Sequence, residues 1–200
     1  MNEQIASGKY NAILKTAHDL FWKFGIRRVS IEEICREAGV SKMTFYRYFS
    51  NKTDLTKKVV KNLFDKILHD YRELMQKDIP FAEKVKQQLM MKFEGTNELS
   101  AELVKDIYSN PETEIYKYWK LRVDEMMEIV FDDYKNAQEM GYIRKDIKLE
   151  FLIYMSNKIT EIASDANLQK LYPTMQALIM EFANHFFYGL LPRDEKWSIV

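Results

Sequence analysis

The chain has 200 residues, of which 46% are hydrophobic and 30% charged, with one cysteine, six glycines and four prolines. This composition excludes collagen and low-complexity disorder, and the length allows one sizeable domain or a small domain joined to a larger one. The longest apolar runs, such as residues 151–155, are far shorter than the ~20 residues of a membrane-spanning helix, so we expect no membrane partner. Residues 1–10 carry no export signal and a single cysteine fits a reducing compartment, so we expect a cytoplasmic protein.

The formal net charge of zero conceals a separation of charge along the chain. Residues 1–60 contain eleven Lys and Arg against six Asp and Glu, a net charge of +5, so the remaining residues carry −5. A basic first segment followed by an acidic body indicates that only the first segment meets a polyanion such as DNA. A solvated lysine face has the same count, so the charge alone leaves both interpretations open.

The spacing of apolar residues predicts helices almost throughout the chain. These residues recur at intervals of three and four rather than two, and no segment predicts a strand. Ser30 followed by Glu33 is a capping box that starts a second helix. Ser41 and Asn51 are caps for the third and fourth helices. The N-terminal helices are predicted at about residues 9–24, 30–38, 41–49 and 51–75.

Longer helices are predicted after residue 80. Asn110 followed by Pro111 predicts a cap and a first-turn proline, and Gly141 ends the helix that they start. The later helices are predicted at about residues 80–93, 100–108, 111–140, 149–166 and 174–190. We therefore predict an all-α fold with about nine helices.

The second and third helices have the arrangement of a helix-turn-helix. Both are short, and the turn between them contains Gly39. Phe45 and Phe49 are four residues apart and share one face of the third helix, which would pack on the first two helices. The opposite surface presents Met43, Thr44 and Arg47, with Tyr46 and Tyr48 beside them. Exposing these side chains on one short helix favours a recognition helix that lies in a DNA groove.

The residue types suggest separate roles in binding DNA. Arg47 can donate two hydrogen bonds to guanine O6 and N7, and Met43 can contact a thymine methyl group. Lys42 can reach a base or a phosphate. Hydroxyl and lysine donors suit phosphate oxygens, which fix the register without reading the sequence. The predicted phosphate contacts are Ser30, Ser41, Thr44, Tyr46, Tyr48 and Lys52.

Residues 30–55 resemble the signature of the TetR family of bacterial transcriptional regulators, and the resemblance covers roughly residues 9–60. Val40-Ser41, Thr44-Phe45-Tyr46, Phe49 and Lys52 fall where the family keeps a turn, a recognition helix and a phosphate-binding lysine. Met43 stands where the family usually has glycine or another small residue, and Cys35 where it usually has alanine. The first departure affects base contacts, and the second is expected to be core packing.

This resemblance implies a helix-turn-helix DNA-binding domain at residues 1–53 and a helical domain for ligand binding and dimerisation at residues 54–200. It implies a repressor that binds a near-palindromic operator in double-stranded DNA as a homodimer, with recognition helices ~34–36 Å apart. A small apolar effector bound in the second domain would release the protein from DNA, and no cofactor is implied. The last 140 residues match the family only in length and helical character.

A homodimer needs an apolar surface, and the last two predicted helices are the best candidates. Their apolar residues cover so wide an arc that a second covering layer is needed. In the resembling family these helices pair with their symmetry mates. The predicted dimer interface consists of Leu152, Met155, Ile159, Leu178, Phe182 and Phe186. The alternative, that these faces are core within one protomer, stays open.

Methionine and aromatic residues are concentrated in the middle of the chain. Flexible thioethers and large rings suit an adaptable pocket between helices, although they equally suit an ordinary core. The predicted ligand-binding residues are Met90, Phe93, Tyr108, Trp119, Met126 and Met127. The helix at residues 54–75 leaves the first domain directly, and it is the only lever that the sequence suggests for transmitting ligand binding to DNA.

Two other functions compete with that of an effector-controlled DNA-binding regulator. An enzyme is disfavoured because the three histidines are far apart, no metal-binding or glycine-loop motif occurs, and the acidic pairs are adjacent rather than facing. We therefore predict no catalytic residues and no metal site. The second rival keeps the DNA-binding segment but is controlled by a protein partner instead of a small molecule, or acts as an activator. The sequence leaves this rival open.

Overall fold

The structure, a computed structural model, describes residues 2–97, 100–152, 154–155, 158, 166–173, 177–178, 181 and 185. Its helices are α1 (Asn2–Phe24), α2 (Ile31–Glu37), α3 (Lys42–Tyr48), α4 (Lys52–Gln76), α5 (Phe81–Asn97), α6 (Ala101–Tyr108), α7 (Glu114–Glu139) and α8 (Ala166–Gln169). Over these ranges the chain forms helices, turns and bends without any strand. The predicted all-α fold is confirmed.

The last two predicted helices fall only partly on described residues. Helical residues occur at 149–152, 154–155 and 158, and again at 177–178, 181 and 185, all inside the predicted ranges. The rest of both predictions lies outside the described residues. The short α8 begins at Ala166, where the first of these two helices was predicted to end.

Three of the predicted helix caps, at Ser30, Ser41 and Asn51, are confirmed. The Ser30 hydroxyl oxygen accepts a hydrogen bond of 3.1 Å from the Glu33 amide, and this cap starts α2. Such caps each contribute about 1 kcal/mol to helix stability. The same arrangement starts α3 and α4, with Ser41 accepting from the Thr44 amide at 3.1 Å and Asn51 from the Asp54 amide at 2.8 Å. Ser100, which the sequence did not mark as a cap, accepts from the Leu103 amide at 3.1 Å and starts α6.

The predicted start of α7 was wrong. The Asn110 side chain accepts from the Glu112 amide at 3.0 Å, and the Asn110 carbonyl accepts from the Thr113 amide at 3.2 Å. Asparagine therefore closes a local turn, which competes with helix capping. The Thr113 hydroxyl caps the helix instead, accepting from the Tyr116 amide at 3.2 Å, so α7 begins at Glu114. Two other helices are longer than predicted, because α1 begins at Asn2 and α5 continues to Asn97.

Packing divides the chain into two compact units. The first unit comprises Met1–Asp70 and Gly95–Asp124, and the second comprises Tyr71–Glu94 and Glu125–Val200. Each unit therefore combines segments from different parts of the chain. The division at residues 53 and 54 into a DNA-binding and a regulatory domain describes function rather than packing, and it stays a prediction.

The core of the first unit lies among α1, α2 and α3, and α6 completes it. Phe21, Ile34 and Phe45 are at most 1% exposed and meet in this core. Leu103 and Ile107 of α6 belong to the same cluster, at 1% and 2% exposed. Burying an apolar side chain of this size contributes about 1.5–3 kcal/mol, so α6 is an integral part of the unit that holds the helix-turn-helix.

The core of the second unit joins α5 and α7 to the segment that follows α7. It contains Val85, Ala137, Ile143, Leu149 and Leu152. The chain leaves α7 through Gly141, whose φ of +82° is the left-handed conformation that glycine adopts readily. Among the helices that the structure describes, none combines the length and the apolar character needed to cross a membrane.

Candidate DNA-binding site

The inner face of α3 is anchored as its sequence predicts. Phe45 and Phe49 are 0% and 2% exposed, so this face packs into the core of the first unit. Tyr10 of α1 stacks on Phe49 with ring centres 5.3 Å apart and meets the edge of Tyr48 at 5.7 Å. Aromatic pairs of this kind add about 0.5–1.5 kcal/mol beyond area burial. Helix α3 is therefore anchored to the first unit through its inner face.

The outer face of α3 projects from the first unit. Met43 is 83% exposed and Tyr46 is 55% exposed, the two most prominent apolar side chains of the helix-turn-helix. Lys42 and Arg47 are also exposed, whereas Thr44 and Tyr48 are half-buried. The structure thus brings most of the predicted contact residues to one surface. Two large apolar side chains exposed on one short helix are unusual for a purely structural element and suit a binding surface.

The two cations of α3 each have a partner on the protein. The Lys42 ammonium lies 2.5 Å from a carboxylate oxygen of Glu32 in α2, and this hydrogen bond lowers the pKa of Glu32. The Arg47 guanidinium lies over the Tyr48 ring, 5.2 Å from its centre, and donates to the Tyr48 hydroxyl at 3.4 Å. Both cations are exposed, so both can reach DNA after a small movement.

The two capping serines have a local role in the structure. Ser30 and Ser41 each accept an amide hydrogen bond at a helix start, and the Ser41 oxygen also lies 3.0 Å from the Thr44 hydroxyl. These bonds orient the start of α2 and of α3. The predicted phosphate contacts of these hydroxyls stay predictions.

The Lys52 ammonium has partners that the sequence did not predict. It donates to the carbonyl oxygens of Ile26 and Val29 at 2.9 Å each and of Arg27 at 3.3 Å. A lysine ammonium has three protons, so these bonds engage all of them. Burial lowers the pKa of Lys52. The structure therefore shows this residue clamping the loop between α1 and α2, and its predicted phosphate contact stays a prediction.

Helix α6 is fastened to the helix-turn-helix by contacts that sequence reasoning missed. Asp106, 12% exposed, accepts from the Arg27 amide at 2.8 Å and lies 3.4 Å from the Arg27 Nε. The Arg27 guanidinium also donates to the Ser109 hydroxyl at 2.7 Å, and the Ser100 amide donates to the Trp22 carbonyl at 3.2 Å. The sequence suggested α4 as the only element that could act on the helix-turn-helix. These contacts add α6 as a second one.

The predicted ligand-binding residues are divided between the two units. Tyr108 and Trp119 lie in the first unit, where the Trp119 indole N–H donates to the Tyr108 hydroxyl at 3.0 Å. Met90, Met126 and Met127 lie in the second unit and are half-buried. The side chain of Phe93 lies outside the described residues. Assignment of this set to one pocket stays a prediction.

The second unit contains two partly buried polar pairs that the sequence did not predict. The Tyr71 hydroxyl donates to Asp133 at 2.9 Å, and the Tyr134 hydroxyl donates to the Gln88 side-chain oxygen at 3.0 Å. Burial raises the pKa of both tyrosines, and the hydrogen bond to Asp133 raises that of Tyr71 further. These pairs join α7 to the end of α4 and to α5.

The predicted dimer residues have unequal exposure. Leu152 and Leu178 are only 3% and 5% exposed, so they pack inside their own protomer and offer little area to a second copy. Met155 is half-buried. The predicted interface residues Ile159, Phe182 and Phe186 lie outside the described residues. The exposed apolar side chains near Leu152 are instead Phe151 and Tyr154, at 55% and 58% exposed.

The anchored, outward-facing second helix of the pair α2 and α3 defines a helix-turn-helix protein. Residues 13–59 match the sequence family described as bacterial regulatory proteins, tetR family. This match covers the helix-turn-helix segment of the chain and makes that segment similar to regulators of the TetR family. The resemblance noted at residues 30–55 is thereby confirmed.

Individual relatives agree with this assignment. YvdT of Bacillus subtilis, described as an uncharacterised HTH-type transcriptional regulator, is 35% identical over 75 residues, which cover 38% of this chain and 39% of that protein. The match thus spans about two fifths of that relative's length. The HTH-type transcriptional repressor KstR2 of Mycobacterium tuberculosis is 22% identical over 147 residues, covering 71% of this chain and 72% of KstR2.

A solved structure extends the likeness of fold to most of the chain. The transcriptional regulator FadR from Bacillus subtilis, in complex with stearoyl-CoA, superposes with a TM-score of 0.73 over 90% of this chain and 98% of FadR. The two sequences are 16% identical. At this identity the likeness establishes a shared fold and leaves the function to other arguments.

Proposed function

We propose that the protein is a transcriptional regulator that binds operator DNA through α3. One observation carries the proposal: α3 is fixed by the buried Phe45 and Phe49 while Met43, Tyr46 and Arg47 project from the opposite face. A rigid helix with protruding donors and apolar groups can enter the major groove and read base edges. The net charge of +5 on residues 1–60 supports attraction to phosphates.

We further propose that it binds a near-palindrome as a homodimer. A seven-residue recognition helix contacts few bases, and two copies related by a twofold axis double the contacts and read two half-sites ~34–36 Å apart. The exposed Phe151 and Tyr154 are the best-supported part of the surface for a second copy. In this proposal Leu152 and Leu178 support the surface from within the protomer.

We propose repression that is relieved by a small effector with an apolar portion. KstR2 is named a repressor and the FadR fold is seen with stearoyl-CoA, which supports a long-chain acyl or similar compound as the ligand class. Its proposed contacts are the methionine and aromatic residues that the sequence predicts for ligand binding. Helices α4 and α6 are both fastened to the helix-turn-helix unit, so both can transmit the effect. A ligand releases DNA only if it favours the non-binding conformation.

Selection of bound duplexes from a random pool tests the DNA-binding proposal. We expect a palindrome whose half-sites are about one helical turn apart, because two recognition helices bind in successive major grooves. Arg47→Ala should weaken binding to that palindrome about fivefold or more, since one good base contact discriminates by ~1–3 kcal/mol. Tyr46→Ala should also weaken it, through loss of the predicted phosphate contact. Lys120→Ala, which removes an exposed cation of α7, is the matched control and should bind normally.

Three outcomes would contradict parts of the proposal. If the purified protein retains no duplex at low salt, DNA binding itself fails. A second outcome is that the protein selects a palindrome but is never released from it by long-chain acyl-CoA or other lipophilic compounds. If a protein from the same cells does release it, control by a protein partner replaces control by an effector. An increase of transcription from promoters carrying the palindrome would identify an activator instead of a repressor.

A further inference from the structure

The ion pair between Lys42 and Glu32 lies on the surface that is proposed to face DNA. Lys42 is the first residue of α3, Glu32 lies in the first turn of α2, and the two charged groups meet 2.5 Å apart. Their side chains are 57% and 60% exposed. The pair is therefore accessible to an approaching polyanion, and it contributes no net charge to the recognition surface.

The second cation of α3 is held differently. Arg47 lies against the neutral ring and hydroxyl of Tyr48, so its charge is not compensated there. Helix α3 thus presents Lys42, which is paired with a carboxylate, and Arg47, for which the described part of the chain shows no acidic partner. A carboxylate at the edge of a DNA-binding surface repels phosphates and needs a reason to be there.

We propose that Glu32 is a specificity-determining residue, which neutralises Lys42 toward nonspecific DNA and positions it for a base contact in the operator. The inference rests on the DNA-binding function proposed above. Glu32 is a positioning residue in this role, because it acts through Lys42 rather than by contacting a base.

The two effects follow from how each kind of complex is held together. Nonspecific complexes are held almost entirely by phosphate neutralisation, and each cation that contributes steepens the salt dependence of log K by ~0.9. In a nonspecific complex the protein adopts many orientations on the DNA. A lysine that is already paired with a carboxylate therefore contributes little to the affinity of such a complex. In the operator complex the orientation is fixed, and an ammonium with three donors can keep one on Glu32 while another reaches a base-edge acceptor such as guanine O6.

Glu32→Gln tests the inference, with Glu37→Gln as the matched control. Glu37 lies in the same helix and pairs at 3.1 Å with Arg36, so both variants remove one acidic partner of a surface cation. Of these two glutamates, Glu32 is the one whose partner lies in α3. The probes are a random-sequence duplex of about 30 base pairs and the palindrome that the wild-type protein selects, each titrated at about 50–300 mM monovalent salt.

We expect Glu32→Gln to bind the random duplex more tightly, with a salt slope steeper by ~0.9, and to bind the palindrome no more tightly than the wild-type protein does. The ratio of palindrome to random affinity should fall roughly five- to tenfold at 0.1 M salt, as expected for one added phosphate contact. Glu37→Gln should change both affinities in parallel and keep the ratio. In a Lys42→Gln background, Glu32→Gln should behave like Glu37→Gln.

Several results would overturn the inference. Equal ratios and slopes for Glu32→Gln and Glu37→Gln would show that only overall charge matters. Weaker palindrome binding without a change on the random duplex would show that Glu32 reads a base itself. Unfolding temperatures and helix content of both variants must match the wild type, and a loss in Glu32→Gln alone would make its role structural. If the wild-type protein binds neither duplex, the proposed function fails together with this inference.

Discussion

Gly25 and Asp106 lie so close together that a Cβ atom on residue 25 would be only 2.7 Å from the Asp106 Oδ2. The same Asp106 oxygen accepts the Arg27 amide, so it is not free to move aside. Gly25 also has a φ of +80°, a conformation that other residues adopt at a cost. The close approach of α6 to the end of α1 therefore requires glycine for two separate reasons.

We predict that Gly25→Ala lowers the free energy of unfolding by about 2–4 kcal/mol, from backbone strain plus loss of the Asp106 contact. Denaturant unfolding measures the effect. Gly39→Ala is the matched control, because Gly39 has a φ of +64° but nothing within 4 Å of its Cβ position. It should lose only the strain component, about 1 kcal/mol. Equal losses in the two variants would show that the contact with Asp106 contributes nothing.

Lys52→Met distinguishes the clamping role of Lys52 from its predicted phosphate contact. Loss of the ammonium leaves the carbonyl groups of Ile26, Arg27 and Val29 without that donor, which should cost about 1–3 kcal/mol of stability. A pure phosphate contact would instead leave the unfolding temperature unchanged and reduce the salt slope of DNA binding by ~0.9. Lys58→Met, which removes an exposed cation of α4, is the control and should leave the stability unchanged.

Tyr71 is expected to make the protein sensitive to alkali. Its pKa is raised in the folded state, so it stays protonated where the unfolded chain has begun to ionise, above a pH of about 10. Its contribution to stability is complete below that pH and is lost as the pH rises further. Tyr71→Phe should therefore show a smaller loss of unfolding free energy between pH 9 and about pH 11 than the wild-type protein does.

Two controls accompany this prediction. Below pH 9, Tyr71→Phe should cost about 1 kcal/mol, because Asp133 loses a hydrogen bond. Tyr142 is 52% exposed in the same unit, and Tyr142→Phe should leave the unfolding free energy below pH 9 as it is in the wild type. A steeper alkaline loss in Tyr71→Phe would contradict the prediction.

The proposed dimer surface is tested by Phe151→Ser and Tyr154→Ser. Both side chains are more than half exposed, so their replacement should leave the protomer folded while removing apolar area from the interface. We expect the double variant to sediment as a monomer at concentrations where the wild type is a dimer, and to lose cooperative binding to the palindrome. Leu171→Ser changes a 73% exposed leucine of the same unit and should remain dimeric. A dimeric double variant would place the interface elsewhere.

Trp119 is predicted to take part in the response to the effector. Trp119→Ala should raise the effector concentration that is needed to release the protein from the palindrome, and stearoyl-CoA is the first effector to test. The affinity for the palindrome without effector should change less than twofold. Leu121→Ala, a 51% exposed position of the same helix, serves as the control and should respond normally. Trp119 also packs against the core of the first unit and against Phe64 at 5.1 Å. Parallel loss of palindrome affinity and effector response would therefore show that Trp119 is only core.

The sequence by itself determined what depends on neighbours along the chain. The Ser30, Ser41 and Asn51 caps act over three residues, and the pairing of Phe45 with Phe49 needs only helical periodicity. Those local signals were enough to predict the helix-turn-helix, its inner face and the family that this segment resembles. Where a local signal failed, as at Asn110, a competing local hydrogen bond was the cause.

Only the tertiary structure decided which distant groups meet. Asp106 lies 79 residues from Arg27, and Lys52 lies 23 to 26 residues from the carbonyl groups that it clamps. Tertiary packing likewise buried Leu152 and exposed Phe151, although both are large, apolar and adjacent in sequence. Helical periodicity shows that a face is apolar, but it does not show which neighbour covers it, since that depends on the arrangement of all the helices in the unit.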